Sequence, residues 1–375
     1  MTLAFIDLNR QYRLLKDEIQ AGLSQVMEKA QFINGPQVGE FEKALADYVG
    51  VSQAVACANG TDAMVMPLMA LGLEPGDAVF CPAFTFIATA EAPALRGAHP
   101  VFADVDPVTY NLDPADLEAK ILKVKNEGRL RPRVIIPVDL FGLPADYRAL
   151  EPLAEKYGLI ILEDAAQGFG GRLDGRRAGS FGLAAGTSFF PAKPLGCYGD
   201  GGAVLTNDRE LAETIRSIRD HGAGGHKYEH LRLGTNSRLD TMQAVILISK
   251  LKIFPRELEE RQRVAERYIA KLKDHLPVPV VAEGFLSSWA QFTVRVPAGR
   301  RELISARLKD GGIPTAVYYP QALHLQPAFA HLGGRPGDLP VCEKAAGEVL
   351  SLPMHPYLTN EEVDLIAENV ITALG

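Results

Sequence analysis

A chain of 375 residues is long enough for two domains and a large buried core. Hydrophobic residues make up 47% and charged residues 23%, a globular balance that excludes a disordered or fibrous chain, and the net charge of -7 argues against a nucleic-acid partner, which would want a basic face. Cys57, Cys81, Cys197 and Cys342 stand far apart with no CxxC pair, so neither a disulfide framework nor a metal site is expected.

The opening stretch MTLAFIDLNRQYRLLKDEI lacks the basic and then apolar segments of a secretory leader, and no apolar run approaches membrane-spanning length. A cytoplasmic protein without a membrane partner is the expectation. Apolar runs bounded by turn signals then alternate with helix-period stretches through roughly the first 240 residues. The runs at 53–58, 77–82, 99–105, 133–140, 159–164 and 202–207 predict strands. The segments 62–72, 88–97, 149–158 and 209–222 predict helices. Two stretches on either side of Pro255, 238–254 and 257–276, predict a long helical connection. Beyond it, 289–297 and 315–320 predict strands, and 301–312 and 361–374 predict helices. The pattern is that of an α/β protein, with a large domain over 1–250 and a smaller one over 251–375 packed as a rigid pair.

Within this frame the stretch SFFPAKPLGCYGDGG sets one lysine, Lys193, among apolar, small and glycine residues. Two readings stand: a side chain at a strand end that reaches solvent, or a partly desolvated amine that keeps a reactive neutral fraction. Asp164 and Gln167 follow an apolar run, at the strand edge where open α/β sheets bind ligands. Asp164 reads either as a helix N-cap or as a carboxylate that meets a cationic ring nitrogen. The stretch ACANGTDAMVMPLMALG has a strand, a small-residue turn at Asn59 and Gly60, and a helix whose first turn holds Thr61 and Asp62. Its backbone N–H groups and helix dipole suit a phosphate, although Asp62 is equally a stabilising N-terminal charge. A lysine for an aldehyde, an acid for a ring nitrogen and a phosphate anchor are the three requirements of pyridoxal phosphate. A P-loop, a dinucleotide fingerprint, HExxH and GxSxG are all absent from the sequence.

In this order FIDLNRQY, FINGPQVGEFEKALADYVG, NGTDA, PAFTFIATA, PVDLFG, EDAAQGFGG, SFFPAKPLGCYGDGGAV, NSRLDTMQA and LSLPMHPYL resemble the DegT/StrS family of sugar-nucleotide aminotransferases. The resemblance implies the aspartate-aminotransferase (fold-type I) architecture: a large α/β domain with a mixed, mostly parallel sheet, and a smaller C-terminal α/β domain. It implies pyridoxal 5'-phosphate as cofactor, with pyridoxamine phosphate as the intermediate form. Lys193 would hold the cofactor aldehyde and move the proton, Asp164 would pair with the ring nitrogen and Gln167 with the ring hydroxyl. Phe86 would stack on the ring, or else be a core residue. Gly60, Thr61 and Ser188 would hold the phosphate, with Asn236 from the partner subunit, which makes the protein a homodimer with shared sites.

A finer resemblance, carried by CANGTDA, TSFFPAKPLGCYGDGGA, GTNSRLDTMQAVIL, AQFTVRV, PTAVYYP and LSLPMHPYLT, is to enzymes that aminate UDP-2-acetamido-2-deoxy-3-oxo-glucuronic acid. It implies L-glutamate as donor and a role in bacterial surface polysaccharide (O-antigen) synthesis. Arg238 would bind the sugar carboxylate or serve as a structural residue at a helix start, and Tyr318, Tyr319 and His324 would line the substrate site. Where that subgroup often reads with a His next to the Tyr, this chain has Tyr318 followed by Tyr319. A 4-keto or neutral 3-keto sugar is the alternative substrate, and a non-catalytic regulator or scaffold of the same fold is the alternative class.

Overall fold

In a computed structural model, which describes residues 3–226 and 228–375, the chain begins with two helices whose ends follow from local chemistry. α1 (Leu8–Lys29) starts where Asp7 accepts a hydrogen bond from the Arg10 amide. α2 (Pro36–Val49) starts on a proline, whose missing N–H is no loss at a helix start, and ends on Gly50 in the left-handed region.

Strands and crossover helices then alternate: β1 (Gln53–Cys57), α3 (Gly60–Ala70), β2 (Asp77–Pro82), α4 (Ala88–Leu95), β3 (His99–Ala103), α5 (Pro114–Glu127), β4 (Arg131–Ile135), α6 (Tyr147–Tyr157) and β5 (Ile160–Asp164). β6 (Ala184–Ser188) and β7 (Gly202–Thr206) complete a seven-stranded sheet of spatial order β1-β7-β6-β5-β4-β2-β3. β6, β5, β4, β2 and β3 run parallel, and β7 lies antiparallel between β1 and β6. Helices cover both faces, which is why β2 is buried throughout and reads as a continuous apolar run rather than an alternation.

β6 is a strand that the apolar pattern does not reveal. Its sequence AAGTS has no large side chain because α3 lies directly on it: a Cβ on Gly186 would come within 2.4 Å of the Met64 sulfur. Small residues here let the helix approach the sheet. In the opposite sense, residues 315–320 do not form the expected strand. Only Ala316 pairs, with Ser351, and Pro314 and Pro320 on either side deny the segment backbone donors for a ladder.

After α7 (Arg209–Arg219), α8 (Thr241–Leu272) runs 32 residues through Pro255, a length of about 48 Å at 1.5 Å per residue. Its first half packs Leu247 and Phe254 with Phe41 and Leu45 beside the main sheet. Its second half packs Val264, Tyr268 and Leu272 into a C-terminal core with Trp289, Phe292, Ile304 and Ile366. That core belongs to β8 (Phe292–Arg295), α9 (Arg301–Asp310), β9 (Val349–Leu352) and α11 (Asn360–Leu374), with β8 and β9 antiparallel, whereas α10 (Pro340–Glu348) packs Cys342, Ala345 and Ala346 into a separate cluster with Phe84 and Tyr110. The expected division after residue 250 therefore falls inside a continuous helix, and Leu3 at the other end of the chain also joins the C-terminal core.

Because α8 threads both cores, the chain is expected to unfold as one unit. Phe254 is fully buried in the core beside the main sheet, and Phe254→Ala should cost about 3–5 kcal/mol. Fluorescence of Trp289, the only tryptophan and part of the other core, should shift its urea midpoint together with the far-UV CD signal. A fluorescence transition that stays in place while the CD transition moves would show two independent units.

Candidate active site

The C-terminal ends of β5 and β6, the start of α3 and the loop after β6 converge on a cleft of about 430 Å³. β5 delivers Asp164, which is only 7% exposed. One carboxylate oxygen accepts the Thr89 hydroxyl of α4 at 2.7 Å, and the other accepts the Ala166 amide at 3.2 Å. Burial raises the Asp164 pKa, and the two hydrogen bonds and the charge of Lys193 oppose it without cancelling it. A buried carboxyl pair backs this strand: Asp139 accepts the Ala145 amide and the Tyr147 hydroxyl, while its own amide donates to the Asp164 carbonyl at 3.1 Å. Burial pushes Asp139 up to about 7, and burial with the Asp139 charge pushes Glu163 up as well.

Gln167 is buried and held in orientation, its Oε1 accepting the Phe141 amide at 2.9 Å and its Nε2 donating to the Tyr319 hydroxyl at 3.0 Å. Asn59 caps α3 by accepting the Asp62 amide at 2.8 Å. The Gly60 and Thr61 amides, next in line, meet no acceptor among the described residues. Gly60 cannot carry a side chain without disturbance, since its Cβ would lie 2.6 Å from the Ser188 Cβ at the end of β6. The result is a cradle of two N–H groups and the Ser188 hydroxyl at the positive end of a helix.

Lys193 enters from the loop between β6 and β7, its amide donating to the Phe190 carbonyl at 2.8 Å. Burial lowers its pKa, and the Asp164 charge partly offsets the shift. Phe86, 53% exposed, also lines the cleft, as do Tyr318 and Tyr319. Burial raises both phenols.

One chain thus brings together Gly60, Thr61, Phe86, Asp164, Gln167, Ser188, Lys193, Tyr318 and Tyr319. It does not bring in Asn236, Arg238 or His324. Asn236 is exposed and bridges Asp220, and Arg238 forms an ion pair with Asp220 at 2.7 Å. His324 is 4% exposed, bonds Glu343 at 3.1 Å and lines a separate hollow with His99, Lys120 and Arg129. Sequence reasoning missed Thr89, Asp200 and Gln291. Helix periodicity gave no signal for Thr89, because Thr85, whose hydroxyl lies 3.1 Å from it, stands in the bend before α4 and not on the helix.

The cleft fits pyridoxal phosphate on its own terms. Asp164 is a buried carboxylate whose cleft contains one cation among the described residues, Lys193, so a cationic ring nitrogen would give it the partner it lacks. The unmet amides at Gly60 and Thr61 suit a phosphate, and Phe86 offers an exposed ring.

A model of the DegT/DnrJ/EryC1/StrS aminotransferase family matches residues 13–371. The UDP-2-acetamido-2-deoxy-3-oxo-D-glucuronate aminotransferase of Pseudomonas aeruginosa is 50% identical over 363 residues, covering 96% of this chain and 98% of that protein. A pleiotropic regulatory protein of Geobacillus stearothermophilus is 45% identical over 374 residues, covering 99% of this chain and 98% of its own. The crystal structure of a DegT DnrJ EryC1 StrS aminotransferase from Brucella abortus superposes with a TM-score of 0.97 at 50% identity, with all of both chains covered.

Thr89 provides a local test of the cleft. Thr89→Val removes the hydroxyl that holds Asp164 and should weaken pyridoxal phosphate binding by about tenfold, or about 1.4 kcal/mol. Thr89→Ser should bind as the natural protein does. Equal affinity of all three in an equilibrium absorbance titration would refute the assigned role of this bond.

Proposed function

The chain belongs to the DegT/DnrJ/EryC1/StrS aminotransferase family and is a pyridoxal-phosphate-dependent aminotransferase of nucleotide sugars, and from that premise we propose that it aminates C3 of a UDP-linked 2-acetamido-2-deoxy-3-oxo-hexuronic acid. The observation that carries this choice is the 50% identity, along almost the whole of both chains, to the Pseudomonas aeruginosa enzyme named for that substrate. L-Glutamate is the proposed donor and leaves as 2-oxoglutarate. The product is an amino sugar for a surface polysaccharide such as O-antigen, made in the cytoplasm.

Pyridoxal phosphate, when bound, supplies an aldehyde that takes up the amino group and a ring that accepts the electron pair left by a departing proton. The chain's own residues do the rest. Gly60, Thr61 and Ser188 would hold the phosphate, Asp164 would pair with the ring nitrogen and Gln167 with the ring hydroxyl, and Phe86 would stack on the ring. Lys193 Nζ takes a proton from the amino-bearing carbon of the donor and returns one to the sugar carbon in the second half. One base serves both halves because the two proton transfers occur at the same place. Tyr318 and Tyr319 wall the cleft against water.

A uronate needs a cation beyond Lys193, and in this proposal Arg238 of the partner subunit supplies it, with Asn236 of the partner subunit completing the phosphate site. Asn236 and Arg238 lie in a segment that also exposes Leu231 and Leu233, a surface suited to a second copy in a homodimer. One observation favours the alternative of a neutral or 4-keto sugar: Arg238 already has a counter-ion in Asp220 of its own chain.

Two measurements follow. Arg238→Ala should raise KM for the 3-oxo uronate at least about tenfold while leaving neutral keto sugars within twofold; an equal loss on both would reject the carboxylate contact. Because burial lowers Lys193 and Asp164 opposes that shift, formation of the visible cofactor band should reach half its maximal rate at a pH below the ordinary lysine range. Asp164→Asn removes the opposing charge, so its half-rise should move to still lower pH. A shift toward alkali would contradict the electrostatic account.

A further inference from the structure

Lys250 takes no part in the chemistry above, yet it is only 1% exposed. It stands on α8, with its Nζ donating to the Gly196 carbonyl at 2.5 Å and lying 4.2 Å from the centre of the Tyr198 ring. Both contacts fall on the segment between β6 and β7 that carries Lys193. The first half of that segment, with Phe190, Ala192 and Lys193, lines the cleft. Its second half rests on α8.

Seven residues before Lys250, on the same stripe of the helix, Gln243 accepts the Tyr198 amide at 2.9 Å. Within the segment, the Cys197 amide donates to the Phe189 carbonyl at 2.8 Å, and its sulfur lies 3.1 and 3.2 Å from the Phe189 and Gly199 carbonyl oxygens, either of which can take the single S–H. Gln243 and Lys250 thus hold residues 196 and 198 at two points of one stripe. Seven residues further along, Glu257 answers the ammonium charge, and is itself bonded by Gln11 at 2.8 Å and by the Tyr357 hydroxyl. The other titratable groups around Lys250 are the Cys197 thiol, the Tyr198 phenol and, across the Tyr198 ring, Tyr12 of α1.

Packing alone would be served by a methionine, which fills similar space without the cost of desolvating a charge. What the lysine adds is a donor for Gly196 and a cation on Tyr198. We propose that Lys250 is a positioning residue that clamps the 189–201 segment to α8 and thereby fixes where the Lys193 amine stands in the cleft. The proposal rests on the assignment of Lys193 as the cofactor-bearing residue.

The test uses the full-length protein with and without pyridoxal phosphate, comparing the natural chain with Lys250→Met and Lys250→Arg. Amide exchange across 189–201 should quicken at least about tenfold in Lys250→Met while the rest of the chain is unchanged, with its melting midpoint within a few degrees of the natural protein's. Borohydride trapping followed by peptide mapping should label Lys193 in both proteins, about tenfold more slowly in Lys250→Met, and kcat should fall about tenfold with KM for glutamate within twofold. Lys250→Arg, which keeps the charge and the donors, should recover the protection. If Lys250→Met does not fold, Lys250→Gln, one atom too short to reach Gly196, makes the same comparison. Label on Lys193 at an unchanged rate with unchanged exchange would overturn the role of Lys250 alone. Label on a different lysine in the natural protein would overturn the site assignment and this proposal with it.

Discussion

A buried carboxylate without a full counter-charge is the condition on which the rest of the site depends. Asp164 lies at the end of a parallel strand, where burial disfavours its ionised form and two neutral donors compensate only in part. The single cation of the cleft among the described residues, Lys193, is displaced by burial in the opposite direction. Burial displaces both groups and the charge of each pulls the other only part of the way back, so a bound cationic ring would give Asp164 the partner it lacks. Perturbation of this kind, with the phosphate cradle beside it, marks a site built around a molecule rather than a structural ion pair.

The fold serves this condition by close approach. α3 can bring its N-terminal amides to the end of β6 only because Gly186 lets the helix down onto the sheet and Gly60 lets it meet Ser188. α8 then ties the segment that carries Lys193 to the C-terminal core, through Gln243 and Lys250 at one end and through Tyr268 and Leu272 at the other. The candidate cleft, the 189–201 segment and the C-terminal core thereby share one continuous helix.

Much of this was legible in the sequence where burial on both faces writes a plain apolar run. β2 and β5 are such cases, and the turn chemistry of Asn59 and Gly60 marks the start of α3 with equal clarity. β6 was illegible because its residues were chosen for smallness, which is a property of the helix lying on it and not of strand pattern. Residues 315–320 erred the other way: β-prone side chains suggested a strand, but Tyr318 and Tyr319 face the cleft and prolines flank the segment. Lys193, Asp164 and Gln167 were readable because charged or polar residues in apolar surroundings need a reason. His324 lies outside this cleft in the single chain, bonded to Glu343. Lys250 and Thr89 escaped because each acts on a residue distant in the chain, and helix periodicity alone does not say what a buried polar side chain will meet.

The claim that unites site and substrate is most directly tested by titrating the cofactor-loaded protein with stable amino-sugar products and following the visible band. UDP-linked 2-acetamido-3-amino-2,3-dideoxy-glucuronate should convert the band to the pyridoxamine form, while 4-amino and neutral sugar nucleotides leave it in place. Conversion by a 4-amino or neutral sugar, with none by the 3-amino uronate, would contradict the account.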